Sequence, residues 1–387
     1  MTTIDWLTTL VAFDTTSVKS NLELIDRIKQ WLVEHHIESR LTFDKDRQKA
    51  NLFATLPAAN GNKEGGIVLS GHTDVVPVTG QAWTSDPFKA EIREGRVFGR
   101  GTADMKGFIA VALSLLPKFC ELKLSFPIHF AFSYDEEVGC LGAPLLINDL
   151  QKLNYKPKAC IVGEPTSMQP VIAHKGINVF RCKIIGKAVH SSLTTQGCNA
   201  IEYAANLIIF LKELAEKFKK QQLDEGFDIP FTSLTTNVIQ GGNAYNTIPE
   251  FCEFVFEFRN LPEHEANTIK KQIETYINDY LLPRMQREYP LASINLIELA
   301  GVASFAANLE ANFTKLCQEM NNQQTLKKVA YATEAGLFQA VQIPTIVCGP
   351  GSIEQAHRAN EFVELEQLKK CEQFLLDLMI KGKELLI

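Results

Sequence analysis

The sequence predicts an α/β fold in which a mixed, largely parallel sheet is flanked by helices and interrupted by a smaller α+β domain. Strand-like apolar runs alternate with helical runs over residues 1–176 and again over 300–387, as in parallel sheets with crossover helices. Over residues 177–299 the order becomes strand–helix–strand–strand–helix–strand, which is that of a ferredoxin-like unit. We therefore expect one domain built from the two outer segments and one inserted domain.

The first segment opens with an amphipathic helix that begins near Thr3 and places Ile4, Leu7, Leu10 and Val11 on one side. The elements expected after it are strands in NLFATLP, GGIVLSGHTDVVPV, PIHFAFSYDEE and ACIVGEP, a hairpin in EIREGRVFGR that turns at Glu94–Gly95, and a helix in MKGFIAVALSLLPKF.

In the inserted domain, one strand alternates Glu253, Val255 and Glu257 with the apolar residues between them, which predicts one buried face. A proline followed by early acids predicts that the second helix opens at Pro262. The expected elements are strands over 177–188, 232–242, 250–260 and 292–300 with helices over 199–222 and 262–285, then a helix over 312–323, a strand over 342–351 and a terminal helix over 363–385.

Composition excludes several classes of protein. The chain has 387 residues, 45% of them hydrophobic and 22% charged, and a net charge of −6, which is ordinary for a globular protein of two domains. It carries no basic arm and no zinc-finger spacing, so we expect no nucleic-acid partner. No apolar run is long enough to span a membrane, and no basic leader precedes the first helix. Nine cysteines without a CxxC pair favour free thiols in a reducing cytoplasm.

His72 and Asp74 stand in the middle of the apolar run IVLSGHTDVVPV. Residues i and i+2 of a strand face the same side, so the imidazole and the carboxylate are neighbours. Such a pair is either a polar pair in the core or the carboxylate–histidine arrangement that orients a metal ligand.

Other strand ends and the loops after them also carry acids or imidazoles. Asp104 precedes a helix, Glu137 and Glu164 follow strands, and His357 lies in a glycine-rich loop after a strand. Solvated acidic loops explain Asp135, but they do not explain this joint occurrence. The carboxyl ends of parallel strands form the ligand crevice of α/β sheets.

Two histidines with several carboxylates suit zinc or a harder ion such as cobalt or manganese. Five ligands exceed one open tetrahedral site and suit two metal ions that share a carboxylate. Glu136 and Glu137 point to different sides of a strand or turn, so one of them can bind metal while the other stays free as a base.

The chain resembles the co-catalytic di-zinc amidohydrolases, which include acetylornithine deacetylase, succinyl-diaminopimelate desuccinylase, aminoacylase-1 and glutamate carboxypeptidase. The resemblance implies a catalytic domain like that of the zinc exopeptidases and an inserted domain that acts as lid and dimer interface. The matching segments, in family order, are SGHTDVVP, GRGTADMKG, DEEVGCLGA, GEPT, GKAVHSS, NTIP, FRNLP and GPGSIEQAHRANE.

The resemblance also implies a role for each matching residue. Asp104 would bridge two metal ions, one completed by His72 and Glu164 and the other by Glu137 and His357. The remaining roles would be Asp74 orienting His72, Glu136 as general base, His190 as an oxyanion donor often supplied by the partner subunit, and Arg259 with Asn246 holding the substrate's α-carboxylate. Without the resemblance, His190 reads equally well as a surface histidine.

The runs HKG, AYATEAGLFQ and GPGSIEQAHRANEFVE resemble the acetylornithine deacetylase branch, so the expected substrate is N²-acetyl-L-ornithine. Desuccinylases usually carry an arginine in a Thr-Ser-Asp-Gly-Arg-like stretch, where this chain has Thr333, Glu334, Ala335 and Gly336. Glu334 is either an acceptor for the ornithine δ-ammonium or an acid at a helix start. The alternatives are the same chemistry on other N-acyl amino acids or dipeptides, a one-metal structural site, and a non-catalytic binding protein on this fold.

Overall fold

The computed structural model describes residues 1–221, 223–320 and 326–386. Its contacts divide the chain into two compact units. Unit 1 comprises Met1–Ile172, Ala306–Lys327 and Thr333–Ile387, and unit 2 comprises Ala173–Phe305 and Lys328–Ala332. Within the described ranges, no helix has the length and apolar character needed to cross a membrane.

The helices and strands have the following bounds. The helices are α1 (Thr3–Val11), α2 (Leu22–Glu34), α3 (Lys106–Glu121), α4 (Ala143–Leu153), α5 (Ala200–Lys219), α6 (Ala266–Tyr276), α7 (Leu282–Glu288), α8 (Asn312–Met320), α9 (Ala335–Ala340) and α10 (Leu365–Lys381). The strands are β1 (Ser39–Phe43), β2 (Ala50–Leu56), β3 (Ile67–His72), β4 (Glu91–Arg93), β5 (Arg96–Phe98), β6 (Ile128–Ser133), β7 (Ala159–Val162), β8 (Val171–His174), β9 (Ile177–Ile185), β10 (Val189–His190), β11 (Ser233–Gly241), β12 (Thr247–Ile248), β13 (Phe251–Arg259), β14 (Ser293–Val302), β15 (Phe305–Ala306), β16 (Lys327–Val329), β17 (Thr345–Val347) and β18 (Phe362–Glu364).

Unit 1 contains a sheet whose order includes β1-β2-β6-β3-β7-β17. The pairs β6–β3, β3–β7 and β7–β17 are parallel, whereas β1–β2 and β2–β6 are antiparallel. Every residue of β3, β6, β7 and β17 is buried, which explains why these strands read as continuous apolar runs. The predicted mixed, largely parallel sheet is confirmed.

The parallel strands end at one edge of this sheet. His72, the last residue of β3, pairs in register with Ser133, the last residue of β6. Strands β7 and β17 end at Val162 and Val347, which are also paired in register. The segments that leave these strands therefore begin side by side. Glu136 and Glu137, Glu164 and His357 lie on the segments after β6, β7 and β17.

Helix α1 begins at Thr3 as predicted and is opened by a capping box formed by Thr2 and Asp5. At its other end, the buried Lys106 donates from Nζ to the carbonyl oxygens of Leu10 and Phe13, at 3.0 and 2.9 Å. Both carbonyls also accept a backbone N–H, from Phe13 and Thr15, so the ammonium adds a second hydrogen bond to each and fixes the start of α3 against the end of α1.

The predicted hairpin is present as β4 and β5. Glu94 and Gly95 form its turn with φ values of 51° and 73°. Two successive positive φ angles are typical of the tight type I′ turn, whose twist matches that of the paired strands.

Unit 2 contains an antiparallel sheet in the order β11-β13-β9-β14. With α5 after β9 and α6 after β13, this is the order of a ferredoxin-like unit. Strand β13 alternates as predicted, and Cys252, Phe254, Phe256 and Phe258 are buried in the core of the unit.

The structure differs from the predicted helix bounds in unit 2. Pro262 lies in a turn in which His264 N–H donates to Leu261 O, and α6 begins only at Ala266. A π-helical turn then separates α6 from α7, which carries Pro283 in its first turn. Because proline lacks an N–H group, it interrupts the regular ladder of the predicted single helix. Of the helices predicted over 199–222 and 312–323, residues 222 and 321–323 lie outside the described residues.

Candidate metal centre

Asp104 lies between two imidazoles, in the loop that leads into α3. Its Oδ1 is 3.1 Å from Nε2 of His72, and its Oδ2 is 3.4 Å from Nε2 of His357. Each oxygen of one carboxylate thus faces a different histidine. This is the arrangement that a carboxylate shared by two metal ions requires.

Further carboxylates complete each half of the cluster. Glu164 Oε1 lies 3.8 Å from His72 Nε2, and Glu137 Oε2 lies 2.9 Å from His357 Nε2. Two sets place their donor atoms within 4.8 Å of one another, namely His72 with Glu136 and Glu164, and His72 with Asp104 and Glu137. The structure therefore brings the five predicted ligands together, with the predicted base beside them.

Asp74 holds the turn that carries Glu136 and Glu137. Its carboxylate accepts the N–H groups of these residues at 3.1 and 3.3 Å and the hydroxyl of Ser17 at 2.7 Å. Its carbonyl oxygen lies 3.0 Å from Nδ1 of His72, while the carboxylate Oδ1 is 3.6 Å away. Asp74 therefore contacts His72 through its backbone carbonyl, and its carboxylate positions the turn that carries Glu136 and Glu137.

Asp135 is not a solvated loop residue. It is only 8% exposed, has a φ of 54°, and pairs with Nζ of Lys49 at 2.5 and 2.6 Å. The interpretation of Asp135 as a solvated acid is wrong, because the turn after β6 folds back toward β2 and buries it. The resulting ion pair anchors the same turn that Asp74 holds.

Burial and crowding shift the titration of the cluster. Burial, with the charges of neighbouring acids, raises the pKa of Glu164 and Glu136, and it raises the pKa of Glu137 to about 7. Hydrogen bonds with Asp104 and Glu137 raise the pKa of His357 to about 10. Burial opposes the charge of His72, but contact with Asp104 and Glu164 leaves its pKa well above the usual value.

The donor set fits divalent metal ions. Five acidic residues converge on only two imidazoles, namely Asp74, Asp104, Glu136, Glu137 and Glu164. Uncompensated carboxylates in a buried site repel one another, and a cation relieves that repulsion. Imidazole nitrogen and carboxylate oxygen are ligands that zinc and cobalt accept.

Glu334 contacts strands β3 and β6 near their carboxyl ends. It is the residue before α9 and is 2% exposed. Its Oε2 accepts the hydroxyl of Ser70, at 3.2 Å, and its Oε1 accepts the hydroxyl of Ser133. Glu334 stands at the start of α9, as a helix-start acid would, but its side chain makes no capping bond to that helix. Its contact with a substrate stays a prediction.

Three of the predicted site residues lie in unit 2. His190 ends β10, is exposed, and has Nδ1 2.8 Å from the hydroxyl of Ser192. Asn246 accepts the N–H of Ser191 through its carbonyl oxygen at 2.9 Å, so it adjoins His190. Arg259 ends β13, and its Nε lies 3.2 Å from Oε1 of Glu257.

A match to a protein-family model assigns the chain to a family. The model of peptidase family M20/M25/M40 matches residues 68–381, which include every residue of the cluster. The chain belongs to peptidase family M20/M25/M40. The predicted resemblance to metal-dependent hydrolases of this kind is confirmed.

Curated relatives within this family are acetylornithine deacetylases. The enzyme of Pasteurella multocida is 32% identical over 372 residues, which cover 96% of this chain and 94% of the relative. The enzyme of Proteus mirabilis is 32% identical over 365 residues, which cover 94% of this chain and 91% of the relative. The predicted likeness to that branch of the family is therefore confirmed.

Solved structures share the M20 fold. A tripeptidase from Staphylococcus aureus superimposes with a TM-score of 0.72 at 20% identity, covering 99% of this chain and 98% of the other. A dinuclear metal-binding peptidase of the M20 family from Bacillus subtilis superimposes with a TM-score of 0.68 at 17% identity, covering 100% of this chain and 98% of the other. At such identities the likeness shows the fold alone.

Two side chains that the sequence did not single out contact the candidate metal centre of this M20 protein. The thiol of Cys140 lies 3.4 Å from Oε1 of Glu136. The buried carboxylate of Glu361 accepts the N–H of Asp104 at 3.1 Å. Both residues stand in segments that carried the resemblance, DEEVGCLGA and GPGSIEQAHRANE, so their position in those segments was the available signal.

Proposed function

We propose that this M20 protein hydrolyses N²-acetyl-L-ornithine to L-ornithine and acetate, using two divalent metal ions. The ions would be Zn²⁺, with Co²⁺ as the alternative. The observation that carries this proposal is Asp104 facing both His72 and His357 at 3.1 and 3.4 Å. The substrate rests on the 32% identity to curated acetylornithine deacetylases over most of both chains.

The residues that would hold the ions follow from the two halves of the cluster. His72 and Glu164 would hold one ion, Glu137 and His357 the other, and Asp104 both. Such a pair of ions supplies an acidified water and polarises the amide carbonyl.

Glu136 would move the proton. Its backbone is held by Asp74 and its carboxylate lies against Cys140, so the side chain has a defined position beside the ligands. The water oxygen attacks the acetyl carbonyl carbon as Glu136 accepts the water proton. The C–N bond then breaks, and Glu136 gives that proton to the leaving amine nitrogen.

Residues outside the cluster would bind the rest of the substrate. His190 would donate a hydrogen bond to the oxyanion, while Arg259 and Asn246 would hold the α-carboxylate, for which a guanidinium fork is suited. Glu334 would accept the δ-ammonium. The inserted domain over 177–299 would serve as a lid and as the interface of a homodimer, and the nine free thiols support a cytoplasmic location.

The test is amine release by the zinc-loaded protein from N²-acetyl-L-ornithine, N-succinyl-diaminopimelate and N-acetyl-L-methionine, each with a chelated control. We expect acetylornithine to be preferred and all activity to be lost on chelation. Chelator-sensitive preference for another substrate would keep the chemistry and reject the substrate. No hydrolysis with metal bound would reject both.

A further inference from the structure

A chain of hydrogen bonds joins the segment of His357 to the segment of Asp104. Gln81 donates from Nε2 to the carbonyl oxygen of His357 at 2.9 Å, and its Oε1 accepts from Nη2 of Arg100 at 2.6 Å. Arg100 Nη1 in turn donates to Oε2 of Glu361 at 2.7 Å.

The carboxylate of Glu361 completes the chain at the backbone of Asp104. Its Oε1 accepts the N–H groups of Ala103 and Asp104 at 2.8 and 3.1 Å, and its Oε2 also accepts the N–H of Gly101 at 3.0 Å. Both oxygens are thus occupied, and three of the four donors are backbone groups of the loop that ends in Asp104.

Both charged side chains of the Arg100–Glu361 pair are buried, and burying charges is energetically costly. Glu361 is 0% exposed and Arg100 is 1% exposed. A buried ion pair is weak evidence for stability, since an apolar pair of similar volume is often as stable. A carboxylate aimed at two consecutive amides, however, fixes the direction of the loop, which an apolar side chain does not do.

We propose that Gln81, Arg100 and Glu361 form a positioning relay that sets the separation of Asp104 and His357 and thereby the affinity of the centre for its second metal ion. The inference rests on the proposed two-metal function. Asp104 Oδ2 lies 3.4 Å from His357 Nε2, and Glu137 contacts the same imidazole. The relay therefore links, through the backbone, the two residues that face each other in this half of the centre.

The relay acts differently on the two halves. Of the residues in the cluster, Gln81 bonds to the backbone of His357, whereas Glu361 bonds to the backbone of Asp104, which faces both histidines. Because the side chain of His357 is 55% exposed and that of His72 is 1% exposed, we assign the weaker binding event to the half of His357.

The experiment is a calorimetric titration of the metal-free protein with Co²⁺ alone. Wild type is expected to show two binding events. Gln81→Met, which keeps length but removes both hydrogen-bonding groups, should weaken the second event by about 10- to 100-fold and leave the first unchanged. Glu361→Gln should weaken both events by a similar factor. Glu354→Gln removes an exposed charge from the same loop and is the matched control that should change neither event.

Thermal unfolding of the metal-free variants separates positioning from folding. Gln81→Met removes one acceptor of Arg100 but leaves the buried Arg100–Glu361 pair, so its Tm without metal should stay close to that of wild type even if Glu361→Gln folds poorly. Two events of wild-type affinity in Gln81→Met would overturn the relay while leaving the two-metal centre in place. Fewer than two events in wild type would overturn the proposed centre itself, and the relay with it.

Discussion

The carboxylate of Asp74 accepts the backbone N–H of Glu136 at 3.1 Å. Asp74 lies two residues past the end of β3, the strand that ends in the candidate ligand His72, and it holds the backbone of the candidate base on a different segment of the chain. The same carboxylate accepts the N–H of Glu137, so base and ligand share one anchor.

Glu136→Gln is expected to abolish proton transfer and to keep both metal ions. An amide cannot accept the water proton, so kcat should fall by about 10²- to 10⁴-fold, the usual contribution of a positioned general base. Glu137→Gln is the matched comparison, because it should lose a metal ion as well as activity. Rates measured beside metal content by mass spectrometry decide this, and full activity in Glu136→Gln would refute the assigned role.

Asp74→Ala is expected to free the turn after β6. The N–H groups of Glu136 and Glu137 lose their acceptor, and the hydroxyl of Ser17 loses its partner. Activity should fall by about 10- to 100-fold, as for other groups that orient ligands. Ser17→Ala removes only the third donor and should retain most activity. Equal losses in both variants would show that Asp74 does not act through the turn.

Without metal, the free energy of unfolding is expected to fall as the pH rises. The pKa of Glu137 is raised to about 7 and that of His357 to about 10, so the folded metal-free protein binds more protons than the unfolded chain at neutral pH. Stability present at low pH is then lost as pH rises through these values. The Tm gained on adding Zn²⁺ should grow between about pH 6 and pH 9, since metal displaces those protons. A gain that shrinks over this range would contradict the expectation.

Glu334→Gln distinguishes substrate recognition from support of the sheet edge. If Glu334 receives the δ-ammonium, KM should rise for acetylornithine and change little for acetylmethionine, which lacks that cation. Ser133→Ala removes a hydrogen-bond partner of Glu334 without removing its charge and is expected to affect both substrates alike. An equal rise of KM for both substrates in Glu334→Gln would leave only a supporting role.

The convergence of the ligands could be predicted from the sequence because it follows from topology. His72 ends β3, while Glu137 and Glu164 follow β6 and β7, and the pairs β3–β6 and β3–β7 are parallel. Parallel strands bring their carboxyl ends to one edge. An apolar run that ends in a polar residue therefore marks, in the sequence alone, a side chain at the carboxyl end of a buried strand.

The contacts that fix those ligands could not be predicted in this way. Asp74 meets the amides of the turn after β6, and Glu361 meets the amides before α3, across long stretches of chain. Their partners are backbone groups, which leave no residue type to recognise. The burial of Asp135 and the late start of α6 at Ala266 likewise depend on turn geometry and not on residue pattern.

The most direct test of the central claim is anomalous diffraction from crystals grown with Zn²⁺, recorded at the zinc edge. We predict two peaks about 3.5–4 Å apart on either side of Asp104, one reached by His72 and Glu164 and the other by Glu137 and His357. A single peak, or peaks that Asp104 does not touch, would contradict the two-metal account.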